Sequence, residues 1–424
     1  MKILVYFMIA ASLIGAGNFS LSVGSFQLSV YRSLLIVLFL TVILEDIKRK
    51  KISLHYGRSN HYSVVFITFW LIYALLSVTW VKDYSAWFKA VFFVGSGFMV
   101  MIVLLYYFRT KEDLLHAFWA FLPFIIFHNI VGWYEWITGR YLFLQGARVL
   151  TYQRVQYPVS TFGNTNDYGL FLLFSCFILF ICLMNSRKKL LCFSYIAVIL
   201  SSVVLVYLTK SRASLLGLLL GAGFLLLVSV RKKEFGRVFL SALLMLLFAC
   251  VIKPDLITNV VSKVDTMLTF DFSQQAGSEF VRINLIKNGL VFLMSTIGFG
   301  TGAGNIEYWM EHYAVYDVVT VYNIHNWWLE VLVSFGIFIF TGYLVFYVKL
   351  MLSMWTRFRH SNDKVNVTMA IGILSIMVAY IIASISSSSV MNSEWLWVFW
   401  GMVIAYQGIS DNETARRPGD VEIE

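Results

Sequence analysis

Charge is scarce in this chain. Only 13% of its 424 residues are Asp, Glu, Lys or Arg, against about a quarter in soluble domains. With 59% of residues apolar, a soluble globular enzyme of this length is excluded, because it would expose too much apolar surface to water. Proline is nearly missing, at 4 residues, and the composition is the opposite of a disordered chain's. Cysteine is as rare. Cys176, Cys182, Cys192 and Cys250 lie in or beside apolar runs without a CxxC pair, which excludes a disulfide scaffold and leaves them as packing residues. What remains is an all-α polytopic membrane protein, because a helix satisfies its own backbone hydrogen bonds in lipid.

About 20 apolar residues cross a bilayer core. The chain offers twelve such stretches, at 3–18, 27–45, 63–81, 87–108, 115–136, 167–184, 191–208, 213–230, 237–252, 327–348, 365–386 and 394–410. The first is read as an uncleaved helix, since Met1-Lys2 is a thin basic start and no A-x-A site precedes Asn18. The expected organisation is nine transmembrane helices over 1–252, one large loop subdomain over 253–326, three more helices over 327–410, and a polar tail over 411–424. Within the loop, 256–264 and 279–294 are helix-like, and glycines crowd 298–304.

The net charge of +10 does not call for nucleic acid, because polytopic proteins gather Lys and Arg on the cytoplasmic side. A cytoplasmic N-terminus puts most of the 33 basic residues on inside segments, from Lys2 and Lys48–Lys51 to Arg187–Lys189, Arg231–Lys233 and Arg416–Arg417. Both termini are then cytoplasmic.

Some cations oppose that trend. Arg140, Arg148, Arg154, Lys210, Arg212, Lys253, Lys263, Arg282 and Lys287 fall on the outer side. Long loops tolerate charge, which suffices for Arg140, Lys253 and Lys263. It does not suffice for Arg212, which opens an apolar helix after a short connection and must snorkel or pair. A guanidinium fork suits phosphate oxygens, so converging outer cations would suit a lipid pyrophosphate.

His325 stands just before the span at 327 and can take a proton from a hydroxyl at neutral pH. It also fits an interfacial polar residue beside Trp327 and Trp328. Glu330, one turn into that span, needs a partner and could orient His325 or pair with an outer Arg. Asn164 and Asn166 suit a tight turn and a helix cap; their amides could equally meet sugar hydroxyls. The glycines at 298–304 form a loop or let backbone N–H groups approach a phosphate. No HExxH, GxSxG or carboxylate-rich metal signature occurs on the outer side.

Four local patterns are similar to those of the O-antigen ligase and polymerase family, the Wzy/WaaL type of bacterial membrane glycosyltransferase. They are Ser160 to Gly169, with Gly163-Asn164-Thr165-Asn166; Lys210-Ser211-Arg212-Ala213-Ser214; Arg282 with the helix leading to Gly298-Phe299-Gly300; and His325-Asn326-Trp327-Trp328-Leu329-Glu330. Two positions depart from the family pattern: Thr165 stands for a proline and Ile286 for a leucine. The resemblance implies a glycan donor joined through pyrophosphate to undecaprenol and metal-independent, cofactor-free transfer on the outer face of the bacterial cytoplasmic membrane. Carried onto this sequence, it places Arg212 and Arg282 on the pyrophosphate with Arg154 or Arg148 assisting. His325 becomes the base on the acceptor hydroxyl, and Glu330 or Asn326 orients it. Lys210, Asn164 and Asn166 join the substrate surface. The expected partners are that donor, a glycan or lipid acceptor, membrane lipids and other polysaccharide-assembly proteins. Polymerisation of repeat units is the favoured activity. The alternatives are ligation to a non-polyprenyl acceptor and, from another class, a glycolipid flippase; the late single large loop and the lack of two similar halves count against the flippase.

Overall fold

The computed structural model describes residues 1–15, 20–23, 26–50, 54, 57–143, 157–229, 278–387 and 390–415. Its helices are α1 (Lys2–Ala11), α2 (Val30–Arg49), α3 (His61–Leu76), α4 (Tyr84–Tyr107), α5 (Lys111–Thr138), α6 (Thr165–Asn185) and α7 (Lys189–Leu208). They continue as α8 (Arg212–Ser229), α9 (Ser278–Ser295), α10 (Ile306–Tyr313), α11 (Trp327–His360), α12 (Lys364–Ala383) and α13 (Glu394–Ala415). The chain is an all-α polytopic membrane protein. Seven of the described helices are long and apolar enough to cross a membrane: α3 with its short extension to Thr79, α4, α5, α6, α7, α11 and α12.

Every expected span coincides with a helix except 237–252, which lies outside the described residues, as does the expected helix at 256–264. Two boundaries differ by more than about five residues. The first helix ends at Ala11, and Ser20–Val23 pairs antiparallel with Phe26–Ser29 in a small hairpin before α2. The tenth expected span runs on to His360 because α11 is 34 residues long.

Helix starts follow their capping residues. Asp83 accepts from Ser85 and Ala86 N–H at 2.8 and 3.0 Å, and Thr110 with Asp113 forms a capping box. Asp363 accepts from Asn366 N–H at 2.9 Å. At the centre, α6 and α12 are almost wholly buried. The helix α8 lies on α12 through Gly217 and Gly221, whose backbones approach Ala379 O and Ser375 O too closely to admit a Cβ.

Segments that the charge alternation puts on one face do meet. Lys2 Nζ bonds Asp113 at 2.6 Å, Lys111 pairs with Asp363 at 3.3 Å, and Arg357 donates to Gln407 O at 2.6 Å. At the other end of the bundle, Arg32 pairs with Glu394 at 2.5 Å in a buried contact and also holds Gln27 O of the hairpin.

The glycine run docks onto a break in α11. Gly336, at φ 75° and ψ −179°, interrupts the helix. The carbonyls of Val333 and Ser334 then lose their helical donors, and the N–H groups of Thr301 and Gly302 replace them at 2.8 and 2.9 Å. The N–H of Ile337 is returned to Gly298 O at 2.9 Å. Tyr73 OH and Trp80 Nε1 clamp the carbonyls of Phe299 and Gly300. From Gly298 through Ala303 every N–H is bonded inside the protein. The reading of these glycines as a phosphate cradle is therefore corrected: they splice a broken helix.

Gly300 has φ +82°, and a Cβ there would sit 2.6 Å from Gly336 N and 2.7 Å from Val333 O. Gly300→Ala and Gly336→Ala should each cost about 1–3 kcal/mol. Thermal unfolding in detergent checks this; unchanged midpoints in both variants would contradict the splice.

Candidate active site

The loop between the splice and α11 packs Ile306, Met310, Val318 and Ile324 against Leu285 and Phe292 of α9 and Val333 of α11 in a small separate core. Buried Asn288 pins it, accepting from Val315 and Tyr316 N–H at 2.9 Å each. This core delivers Asn323, Ile324 and His325 to the first turn of α11.

His325 sits in the left-handed region, at φ 48°. Its N–H donates to Asn323 Oδ1 at 2.9 Å, and Asn323 Nδ2 donates to Glu307 Oε1 at 3.1 Å. Burial, and then the nearby Arg282 guanidinium, hold the imidazole below its ordinary 6.5. It is thus neutral at pH 7. Its Nδ1 is buried without a hydrogen-bond partner among the described residues.

The expected orienting residues do something else. Asn326 caps α11, accepting from Leu329 N–H at 3.2 Å. Among the described residues the Glu330 carboxylate accepts no hydrogen bond; it lies instead within electrostatic reach of Glu307 and Asp167. Asn323 and Glu307 hold the His325 backbone in their place. Asn323 was visible two residues before the histidine, but its role needs the third partner from a helix 16 residues away.

Arg282 is exposed on the first turns of α9 and reaches His325 electrostatically. Arg212 is exposed as the first residue of α8. Its turn is tied in by Ser211 and Ser214, whose hydroxyls bond at 2.9 Å beside Gly169 of α6. Asp167 of α6 accepts from Ser387, just beyond α12, and Ser384 O accepts from Trp327 N–H at 3.1 Å. The starts of α6, α8 and α11 thus gather around one end of α12, so Arg212, Arg282 and His325 share one end of the bundle. Asn164 caps α6, accepting from Asn166 N–H at 2.7 Å. Lys210 lays its ammonium 4.9 Å over the Tyr207 ring. Arg148 and Arg154 lie outside the described residues.

Against Asn323 and Ile324, which precede His325, opens a cavity of about 310 Å³, bounded also by the start of α4, α10, the first turns of α11 and Asn392. Lys89, Asp83, Glu307 and Glu330 line it. Sequence reasoning missed Lys89, Asp83 and Glu307, because the cavity joins segments more than 200 residues apart.

Residues 196–346 match the family model described as O-antigen ligase. Over 411 residues the chain is 32% identical to the teichuronic acid biosynthesis protein TuaE of Bacillus subtilis (strain 168), covering 95% of this chain and 83% of that one. The chain belongs to the O-antigen ligase and polymerase family. It is therefore a membrane enzyme of cell-surface polysaccharide assembly. The matched stretch of this ligase/polymerase runs from α7 into α11 and includes Arg212, Arg282, His325 and Glu330, but not Asn164, Asn166, Arg148 or Arg154.

Proposed function

We propose that the chain polymerises surface polysaccharide by transferring an undecaprenyl-pyrophosphate-linked glycan to a hydroxyl of a second lipid-linked unit. The reaction takes place on the outer face of the bacterial cytoplasmic membrane. The observation that carries this reading is the gathering of His325, Arg282 and Arg212 at one end of the bundle, with Arg282 within electrostatic reach of His325.

The donor enters laterally between helices, and the two guanidinium groups hold its pyrophosphate with Arg148 or Arg154 assisting. The anomeric C–O bond to phosphorus breaks, and the electron pair leaves on the pyrophosphate, where the arginines stabilise it. The acceptor oxygen attacks the opposite face of the anomeric carbon, inverting it. His325 takes the hydroxyl proton on Nε2, and no metal is needed. Twelve spans, cytoplasmic termini, and an extracytoplasmic subdomain over 253–326 between 1–252 and 327–410 complete the arrangement, with the tail at 411–424 inside.

The relative's part in teichuronic acid biosynthesis favours a surface polysaccharide as the product. Purified protein given one lipid-linked repeat unit alone should yield a ladder of longer lipid-linked chains. Product that forms only when a different acceptor is added would make the chain a ligase and overturn the polymerase reading.

A further inference from the structure

The polar cavity against Asn323 and Ile324 is not needed to hold the pyrophosphate, and its chemistry suits a different ligand. Its 310 Å³ is far more than the roughly 10–15 Å³ that one water needs, enough to admit a sugar ring. Acceptors dominate its walls. The Glu330 carboxylate lines it and accepts no hydrogen bond among the described residues, and the Lys89 ammonium on the opposite wall has no partner among them either. Such groups are satisfied by a ligand that brings hydroxyls. Ile306, Ile324, Phe335 and Met391 supply apolar wall, as the C–H faces of a sugar ring require.

Charge narrows the choice. Asp83, Glu307 and Glu330 face one ammonium, that of Lys89. Among the lining side chains carboxylates outnumber ammonium groups, so an anionic ring is disfavoured there relative to a neutral one. Asp83 is engaged as the cap of α4 and Glu307 Oε1 accepts from Asn323, which leaves Glu330 and the second oxygen of Glu307 for hydroxyls. Asn323, whose side chain holds the His325 backbone N–H, and Ile324 line the cavity, so a ring bound there contacts the segment that carries the imidazole.

We infer that this cavity is the acceptor subsite, and that it takes a neutral, hydroxyl-bearing sugar in preference to a uronate. The inference rests on the transfer reading above and deepens it by assigning acceptor residues. Glu307 and Glu330 accept from ring hydroxyls, while Lys89 donates at the exposed rim.

The test is saturation-transfer NMR on the full chain in nanodiscs, with methyl glucoside and methyl glucuronide as probes; it needs no turnover. The glucoside should bind at least about tenfold more tightly than the glucuronide. Glu307→Gln keeps an acceptor for Asn323 and should weaken glucoside binding about tenfold. Exposed Lys89→Gln should widen the preference against the glucuronide. A glucuronide that binds as tightly as the glucoside, or glucoside binding unmoved by Glu307→Gln, overturns the inference. If those binding results fail while the chain still makes polymer, only the cavity assignment falls. If they hold but no glycosidic bond forms from a lipid-linked donor, the transfer reading falls and the acceptor role with it.

Discussion

Replacing His325 with alanine should lower transfer by about 10²–10⁴-fold, the usual worth of a positioned general base, with donor affinity nearly unchanged. The protein should still fold, because among the described residues the ring makes no hydrogen bond that would be lost, and the loop is held by the backbone bond to Asn323. The wild-type rate should be flat near neutral pH and fall in acid. The imidazole is held below 6.5 by burial and by Arg282, so it loses its basic form only when pH drops through that lowered value. Measured initial rates of extension against pH check both statements. Full activity in His325→Ala would remove the base from the mechanism.

Arg212→Ala and Arg282→Ala form the second large expectation. Each should cost about 10²–10³-fold in transfer, as loss of one group stabilising developing charge does, and should weaken donor binding as well. Both side chains are exposed, so the truncations remove little packing. Lysine at either position should rescue only in part, since it keeps the charge and loses the bidentate fork. Arg282→Ala carries an extra signature. With that cation gone the imidazolium is less disfavoured, the His325 pKa rises, and the acid limb moves to higher pH. Arg212→Ala has no such effect, because burial and Arg282 are the causes acting on His325. Retained rates in both alanine variants would contradict pyrophosphate capture.

The spans were legible because a bilayer imposes length and apolarity on each crossing segment, and α3 to α7 lie within about five residues of the expected stretches. Arg212 stood out in the sequence because charge at the end of an apolar run demands an explanation, and His325 because an imidazole beside such a run can take a proton. The break at Gly336 was not. A lone glycine in an apolar helix usually continues it, and only docking of Thr301 and Gly302 onto the freed carbonyls makes the interruption stable. The same docking hides from the sequence that the glycine run has no free N–H to offer between Gly298 and Ala303. Glu330 read as a partner for His325 because the two are five residues apart, yet α11 turns the carboxylate into the cavity instead. Lys89 escaped notice because it lies inside an apolar stretch, and its neighbours in space, Glu307 and Asn392, come from distant segments. The buried Arg32–Glu394 pair was hidden for the same reason, its partners being 362 residues apart.

Product stoichiometry tests the central claim most directly. Purified wild-type chain with one lipid-linked donor, in EDTA, should release one undecaprenyl pyrophosphate for every glycosidic bond made, and the Arg212, Arg282 and His325 alanine variants should release almost none. Movement of intact donor across the bilayer without new bonds, or release that requires a divalent metal, would contradict it.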